Sequence, residues 1–417
     1  MIQSSKRTIA SWVGFDFAQS AYSIVIVTFV FPMYFGEVIV RDGRGDLYWG
    51  LAISISMLLV ALITPALGAI ADLTAQRKRF LLFFAALCIL STLSMYFLQP
   101  GMVIAALILF ILANAGFEGG TVFYDSILPS ITTKENCGRI SGIGFAASYF
   151  GCIVTLLGAN VLVNRPQPLI KESFLLAGLS FALFALPFVF FVKEKREKST
   201  SSIIGLVKRG ISENIRTITK IREHRAIARF LLAFFVYNDA VLTVIGFAGR
   251  FAKNSLHFST SELAIFFLLV LTVAIIGSLV FGYFTDRVGP KFIITITLVL
   301  WVGVVVGTYF STNATMFFVV GGFAGLVLGS TQSASRTLMA SLTPQEHAAE
   351  FFGFYDGFCG KASAVIGPII YGALSGISGQ RAAMLSMAAF FIVGIILIRT
   401  VGVERASEPA ILEGAAA

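Results

Sequence analysis

Charge is what this 417-residue chain is short of: Asp, Glu, Lys and Arg make up 13% of it, against about 25% in a soluble globular chain. With 57% hydrophobic residues and a mean hydropathy of +0.87, that shortage excludes a soluble domain and leaves a polytopic membrane protein. Cysteine is sparse too. Cys88, Cys137, Cys152 and Cys359 are scattered without paired spacing, so no disulfide framework or metal site is implied. The three histidines, His224, His257 and His347, fall between the apolar runs, which argues against a His-based metal centre. No G-x-x-x-x-G-K-[ST] occurs, so ATP is not the energy source. No nucleophile with an attendant base is visible; the chain does not read as an enzyme, and no cofactor or metal is called for. The N-terminus is no cleavable leader either, because the apolar stretch behind MIQSSKRTIASW far exceeds a signal-peptide core.

What is present is apolar length. A span needs about 20 apolar residues, and twelve stretches qualify: 10–36, 48–71, 80–98, 102–131, 140–163, 174–192, 229–251, 262–285, 292–311, 314–338, 349–375 and 382–400. The expected fold is all-α, with twelve transmembrane helices in two pseudo-symmetric six-helix bundles, 1–192 and 229–400. A linker at 193–228 joins them and a tail, 401–417, follows. Alternate loops carry 22 Lys and Arg on one side and 7 on the other. The richer side, with both termini and the linker, is expected to be cytoplasmic. That bias accounts for the net charge of +9 without nucleic acid. In the linker, Ile203, Ile204, Val207, Ile211, Ile215, Ile218 and Ile221 recur at helical spacing among basic residues. They predict an amphipathic helix on the inner lipid leaflet or against the bundle.

Polar residues inside the spans are few and patterned. Asn114, Glu118, Thr121 and Asp125 lie in one span, and at about 100° per residue they share one stripe within roughly 60°. A carboxylate near the bilayer centre costs on the order of 2.5–3.5 kcal/mol, so the stripe must face a bundle or a wet cavity. Lys361 is the one lysine near the middle of a span. It needs a carboxylate, and Asp356, five residues away and about 140° round an α-helix, is a poor choice. Glu118 or a substrate carboxylate is the expected partner. Gly142, Gly144 and Gly151 suit tight helix contact, and Gly367-Pro368 predicts a kink in span 11.

Gly68-x-x-x-Asp72 and Gly282-x-x-x-Asp286 each close the second span of their half, 214 residues apart. This indicates duplication. Gly282-Tyr-Phe-Thr-Asp286-Arg287-Val-Gly289-Pro-Lys291 resembles the G-x-x-x-D-R-x-G-R-K loop of the major facilitator superfamily. The first copy keeps Gly68, Asp72 and a basic run, with Leu73 and Ala75 where Arg and Gly are usual. A narrower resemblance, to the vacuole effluxer-like branch, spans nearly the whole chain. Trp12-Val-Gly-Phe-Asp16-Phe-Ala-Gln19-Ser20, Val122-Phe-Tyr124-Asp125-Ser-Ile-Leu-Pro129 and Phe235-Val-Tyr237-Asn238-Asp239 carry it. So do Gly329-Ser-Thr-Gln332-Ser-Ala-Ser335-Arg336, Glu350-Phe-Phe-Gly353-Phe-Tyr355 and Gly360-Lys361.

The resemblance implies a secondary transporter of a small polar solute, with spans 1, 4, 7 and 10 lining a central cavity. The solute and ion pathway is then expected at Asp16, Gln19, Asn114, Glu118, Tyr237, Asn238, Asp239, Gln332, Arg336 and Lys361. Gating falls to Asp72, Arg77, Asp125, Asp286 and Arg287. Fungal members of the branch are implicated in amino-acid export from the vacuole, so amino-acid efflux is the implied activity, as symport or antiport. A proton is expected as coupling ion in preference to sodium, with Glu118 as its site. The bland reading makes each buried acid a fixed ion-pair partner. The implied partners are the solute, the ion and membrane lipid; the implied state is a monomer in a bacterial cytoplasmic membrane. Two other functions stay open: export of lipophilic compounds or lipid, and a non-transporting receptor or scaffold.

Overall fold

The structure is a computed structural model that describes residues 5–40, 44–194 and 224–402. The positions of the expected linker helix, 203–221, and nearly all of the 401–417 tail lie outside the described residues. Among the described residues, eleven continuous helical runs are long and apolar enough to cross a membrane. The last, Gln345–Arg399, has 55 residues, more than twice what a bilayer needs. Gly379, at φ 82° and ψ 163°, interrupts it, so it makes two spans and the twelve-span reading stands.

The spans are α1 (Lys6–Ile39), α2 (Gly45–Leu73), α3 (Arg77–Phe97), α4 (Val103–Ile131), α5 (Cys137–Val163) and α6 (Ile170–Phe191). They continue with α7 (Arg225–Leu256), α8 (Thr260–Val288), α9 (Pro290–Phe310), α10 (Ala314–Leu342), α11 (345–378) and α12 (380–399). Local chemistry sets several starts. Ser5 accepts from the Thr8 amide at 3.2 Å, and Asn313 from that of Met316 at 2.9 Å. Ser259 and Glu262 cap each other reciprocally at the head of α8. Each such cap satisfies a backbone donor that the helix itself leaves unpaired. Leu62, Ile104, Phe190 and Ile369 are all at least 65% exposed, as a lipid-facing surface requires.

Two spans carry π segments among the described residues. In α1, Ser23–Phe29 is a π segment. In α11, Gly353–Cys359 is another, and turns at 363–365 break the helix before it restarts at Ile366. The kink expected at Gly367-Pro368 is therefore a break a few residues earlier. The first and last six spans meet along two tight crossings. At α5–α8 the Gly282 backbone lies against Gly142, and at α2–α11 Gly353 lies against Pro65 and Thr64. A side chain on either glycine would meet backbone within 3 Å, so small residues are what permit these approaches.

Candidate functional site

The polar side chains of the membrane interior collect at three depths. The shallowest layer lies at the membrane face that carries the linker and both termini. Here Asp72, near the end of α2, accepts hydrogen bonds from the amides of Ala349 (3.1 Å) and Glu350 (2.9 Å) at the start of α11. Asp286, near the end of α8, accepts from the amides of Gly138 (2.6 Å) and Arg139 (2.9 Å) at the start of α5. Each acid thus caps a helix of the opposite half, where unpaired amides and the helix dipole favour negative charge. Arg77 holds Asp72 at 2.6 Å and donates to the Gln345 carbonyl, so it also reaches across. Arg287 does not: it is exposed and stacks on Tyr283 of its own helix at 4.4 Å. A cavity of about 2030 Å³ opens at this face, lined by Lys6, Arg77, Lys78, Arg139, Glu194 and Glu346 among others. Glu194 accepts from the Lys78 amide at 3.0 Å, and its burial pushes its carboxyl above the usual range.

The second layer is centred on Arg336 of α10. It and Asp125 each lie six residues from the ends of their helices, about 9 Å in. The guanidinium is 2% exposed. Nη1 reaches Asp125 of α4 at 2.9 Å and Asp16 of α1 at 3.4 Å. Nε donates to the Ser141 hydroxyl at 3.0 Å, and Nη2 to the Ser141 carbonyl at 2.8 Å, both on α5. The group lies 4.0 Å from the Phe145 ring centre and 4.9 Å from that of Trp12. One fork therefore ties three helices of the first half to α10 of the second. Gly144 makes the space: a Cβ there would lie 2.8 Å from Nη2 and 3.0 Å from Asp16 Oδ2. Gln19 donates to Asp16 Oδ1 at 2.9 Å, holding the carboxylate in place.

The third layer is at mid-membrane. Glu118 is thirteen residues from the end of α4, about 20 Å in. It pairs with Lys361 of α11, again across the halves. Glu118 and Asp125 are seven residues apart, about 20° in azimuth and about 10 Å along the axis. One face of α4 thus presents two acids, each met by a cation from the other half. Asp356 also lies 3.6 Å from Lys361, which corrects the α-helical estimate. Position 356 is in the π segment, where i and i+5 come together. The layer therefore holds two carboxylates and one ammonium, and the Arg336 layer two carboxylates and one guanidinium. In each, full ionisation leaves an uncompensated negative charge that a proton can cancel.

Of the remaining expected residues, all but Gln332 stay within one half. Asn114 donates to Ser56 at 2.8 Å and accepts from Tyr22 at 3.4 Å. Asp239 accepts from the Gly367 amide with both oxygens, at 2.9 and 2.8 Å, capping the restarted part of α11. Asn238 donates to Ser363 at 2.8 Å, in the break. Tyr237 shares a 2.7 Å hydrogen bond with Ser335. Gln332 accepts from Tyr149 of α5 and so does span the halves. Sequence reasoning set Asp356 aside as a poor partner and assigned no site role to Trp12, Ser141 and Phe145. Ser141, Gly142, Gly144 and Phe145 lie in one small-residue run, a spacing that marks close helix approach but not what approaches.

Twelve spans in this arrangement define a membrane transporter of the major facilitator type rather than an enzyme. The human organic anion transporter MFSD10 (TETRAN) superposes with a TM-score of 0.76 at 14% identity, over 94% of this chain and 99% of that one. That likeness speaks for the fold alone. An MFS-type transporter of Bacillus subtilis (strain 168), YxiO, is 29% identical over 95% of each chain. Autophagy-related protein 22 of Coccidioides immitis (strain RS) is 22% identical over 86% of this chain and 72% of its own length. Residues 48–410 match the family described as vacuole effluxer Atg22 like, and the chain belongs to that family.

Proposed function

We propose that the protein exports a small polar solute by rocking its two six-span halves about a mid-membrane site, with proton coupling at Glu118. The observation that carries this is the Glu118–Lys361 pair: it joins the halves at the centre of the bilayer, and Asp356 gives the site one more acid than it has cations. A charge set that is short of one cation binds a proton more readily than a closed pair does. The caps at Asp72 and Asp286 and the Arg336 layer support a state in which the halves are held together on the linker side, beside the vestibule that opens there, with the mid-membrane pair behind them. The Lys and Arg excess of the linker-side loops supports placing that side, and both termini, in the cytoplasm of a bacterial cell. Amino-acid export is the activity suggested by kinship with the vacuole effluxers.

A scaffold that never moves would also keep Asp16, Glu118 and Asp239 engaged, as all three are here. Flux separates the two readings. In liposomes with an imposed pH gradient, the wild-type protein should show gradient-driven amino-acid movement. Glu118→Gln should abolish the response to the gradient while allowing exchange at equal pH. Wild-type flux that is blind to the gradient, or a Glu118→Gln variant that still follows it, removes the coupling role. Export of lipophilic compounds has less support. The hollow bounded by Phe17, Thr155, Leu176 and Phe184 has about 220 Å³, below the roughly 300–1,000 Å³ of small-molecule pockets.

A further inference from the structure

Asp356 has so far counted only as the extra acid of the Lys361 site. Its Oδ1 lies 3.6 Å from Lys361 Nζ. Its Oδ2 is buried and has no hydrogen-bond partner among the described residues. A buried carboxylate oxygen without a donor is costly, so part of this acid's bonding capacity goes unused in the present state. Asp356 and Lys361 sit on the same helix and move together, whereas Glu118 belongs to α4 in the other half. Any parting of the halves at this depth takes Glu118 away from Lys361 and leaves Asp356 beside it. An ammonium stranded at mid-membrane is strongly disfavoured. The π segment Gly353–Cys359 is what brings the replacement within reach, since a regular α-turn would put it on another face.

We propose, resting on the transport reading above, that Asp356 is the second counter-ion of Lys361. When the halves part, Lys361 passes from Glu118 to Asp356, and the released Glu118 takes up a proton. Lys361 stays an ammonium and Asp356 a carboxylate throughout. Glu118 gains one proton from water on the side to which the site is open, and loses it before Lys361 returns. The titratable groups facing Glu118 are Lys361 and Asp356 from α11, Tyr22 from α1 and Cys88 from α3. Lys361 is the cation among them, so moving it is what changes the proton affinity of Glu118.

The test reads the distance between the halves in the full-length protein in liposomes. Spin labels go on exposed Lys134, in the first half, and exposed Glu346, in the second, in a background with the four native cysteines replaced. Asp356→Asn should reduce the population with widely separated labels by about tenfold, a shift of about 1.4 kcal/mol. Asp356→Glu should restore it. In a Lys361→Gln background, Asp356→Asn should have no further effect, because there is no ammonium left to receive. An unchanged distribution in Asp356→Asn overturns the proposal, and so does an equal shift in the Lys361→Gln background, which marks a merely structural role. If proton-driven flux persists alongside either result, Asp356 alone loses its part. A wild-type protein with one narrow distance at every pH and solute overturns the rocking reading together with it.

Discussion

A guanidinium that cannot shed its proton dictates its own surroundings. Arg336 is fully buried and remains charged, so Asp16, Asp125 and Ser141 must all be in place around it. Breaking a buried pair from one side costs about 3–5 kcal/mol. Arg336→Gln should therefore lower the melting temperature sharply, and adding Asp125→Asn should recover part of the loss, since an amide does not need the cation. No recovery in the double variant would mean that the two are not energetically paired. At this scale the sequence was informative about the charges and blind to their setting. Asp16, Glu118, Arg336 and Lys361 announce themselves because charge in an apolar run is costly. Trp12, Ser141 and Phe145 do not, because nothing about an aromatic or a serine in a span says that a guanidinium lies against it.

At the scale of elements, α11 carries the irregularity. Its π segment moves Asp356 beside Lys361, and its break at 363–365 leaves new helix ends inside the membrane. Asp239 supplies the cap for the restarted part through the Gly367 amide. Replacing an N-cap by Ala costs about 0.5–2 kcal/mol. Asp239→Ala should speed amide exchange at Gly367 and Ile369 while leaving α12 protected; protection at Gly367 and Ile369 equal to that of the wild type would deny the cap its role. The twelve apolar runs were legible with edges good to a few residues, since span length follows from bilayer thickness. The π geometry was not. It arises where neighbouring helices pack closely, at Gly353 against α2, and a single-helix angle calculation cannot include a neighbour.

At the scale of the molecule, the two halves are joined on the linker side by acids that reach across. Asp72→Asn and Asp286→Asn each weaken one cap, worth about 0.5–2 kcal/mol, so each should raise the widely separated population of labels at Lys134 and Glu346 by a few-fold up to roughly 30-fold. The double variant should exceed either one. A distribution that stays narrow in both would show that the caps do not hold the closed state. The repeated Gly-x-x-x-Asp was visible in the chain as a period, and gating at Asp72 and Asp286 was what the family resemblance implied. The receiving amides at Ala349, Glu350, Gly138 and Arg139 were not visible, because backbone donors leave no mark in a sequence.

The two caps are also the same contact made twice. The second span of each half gives its aspartate to the fifth span of the other, so exchanging the halves would leave the pattern unaltered. This is the reciprocity of a two-fold homodimer, in which patch i meets j and j meets i. A half-length chain carrying one such acid and one such helix start could form both locks with a twin of itself, and tethering the twins end to end would then free each copy to drift.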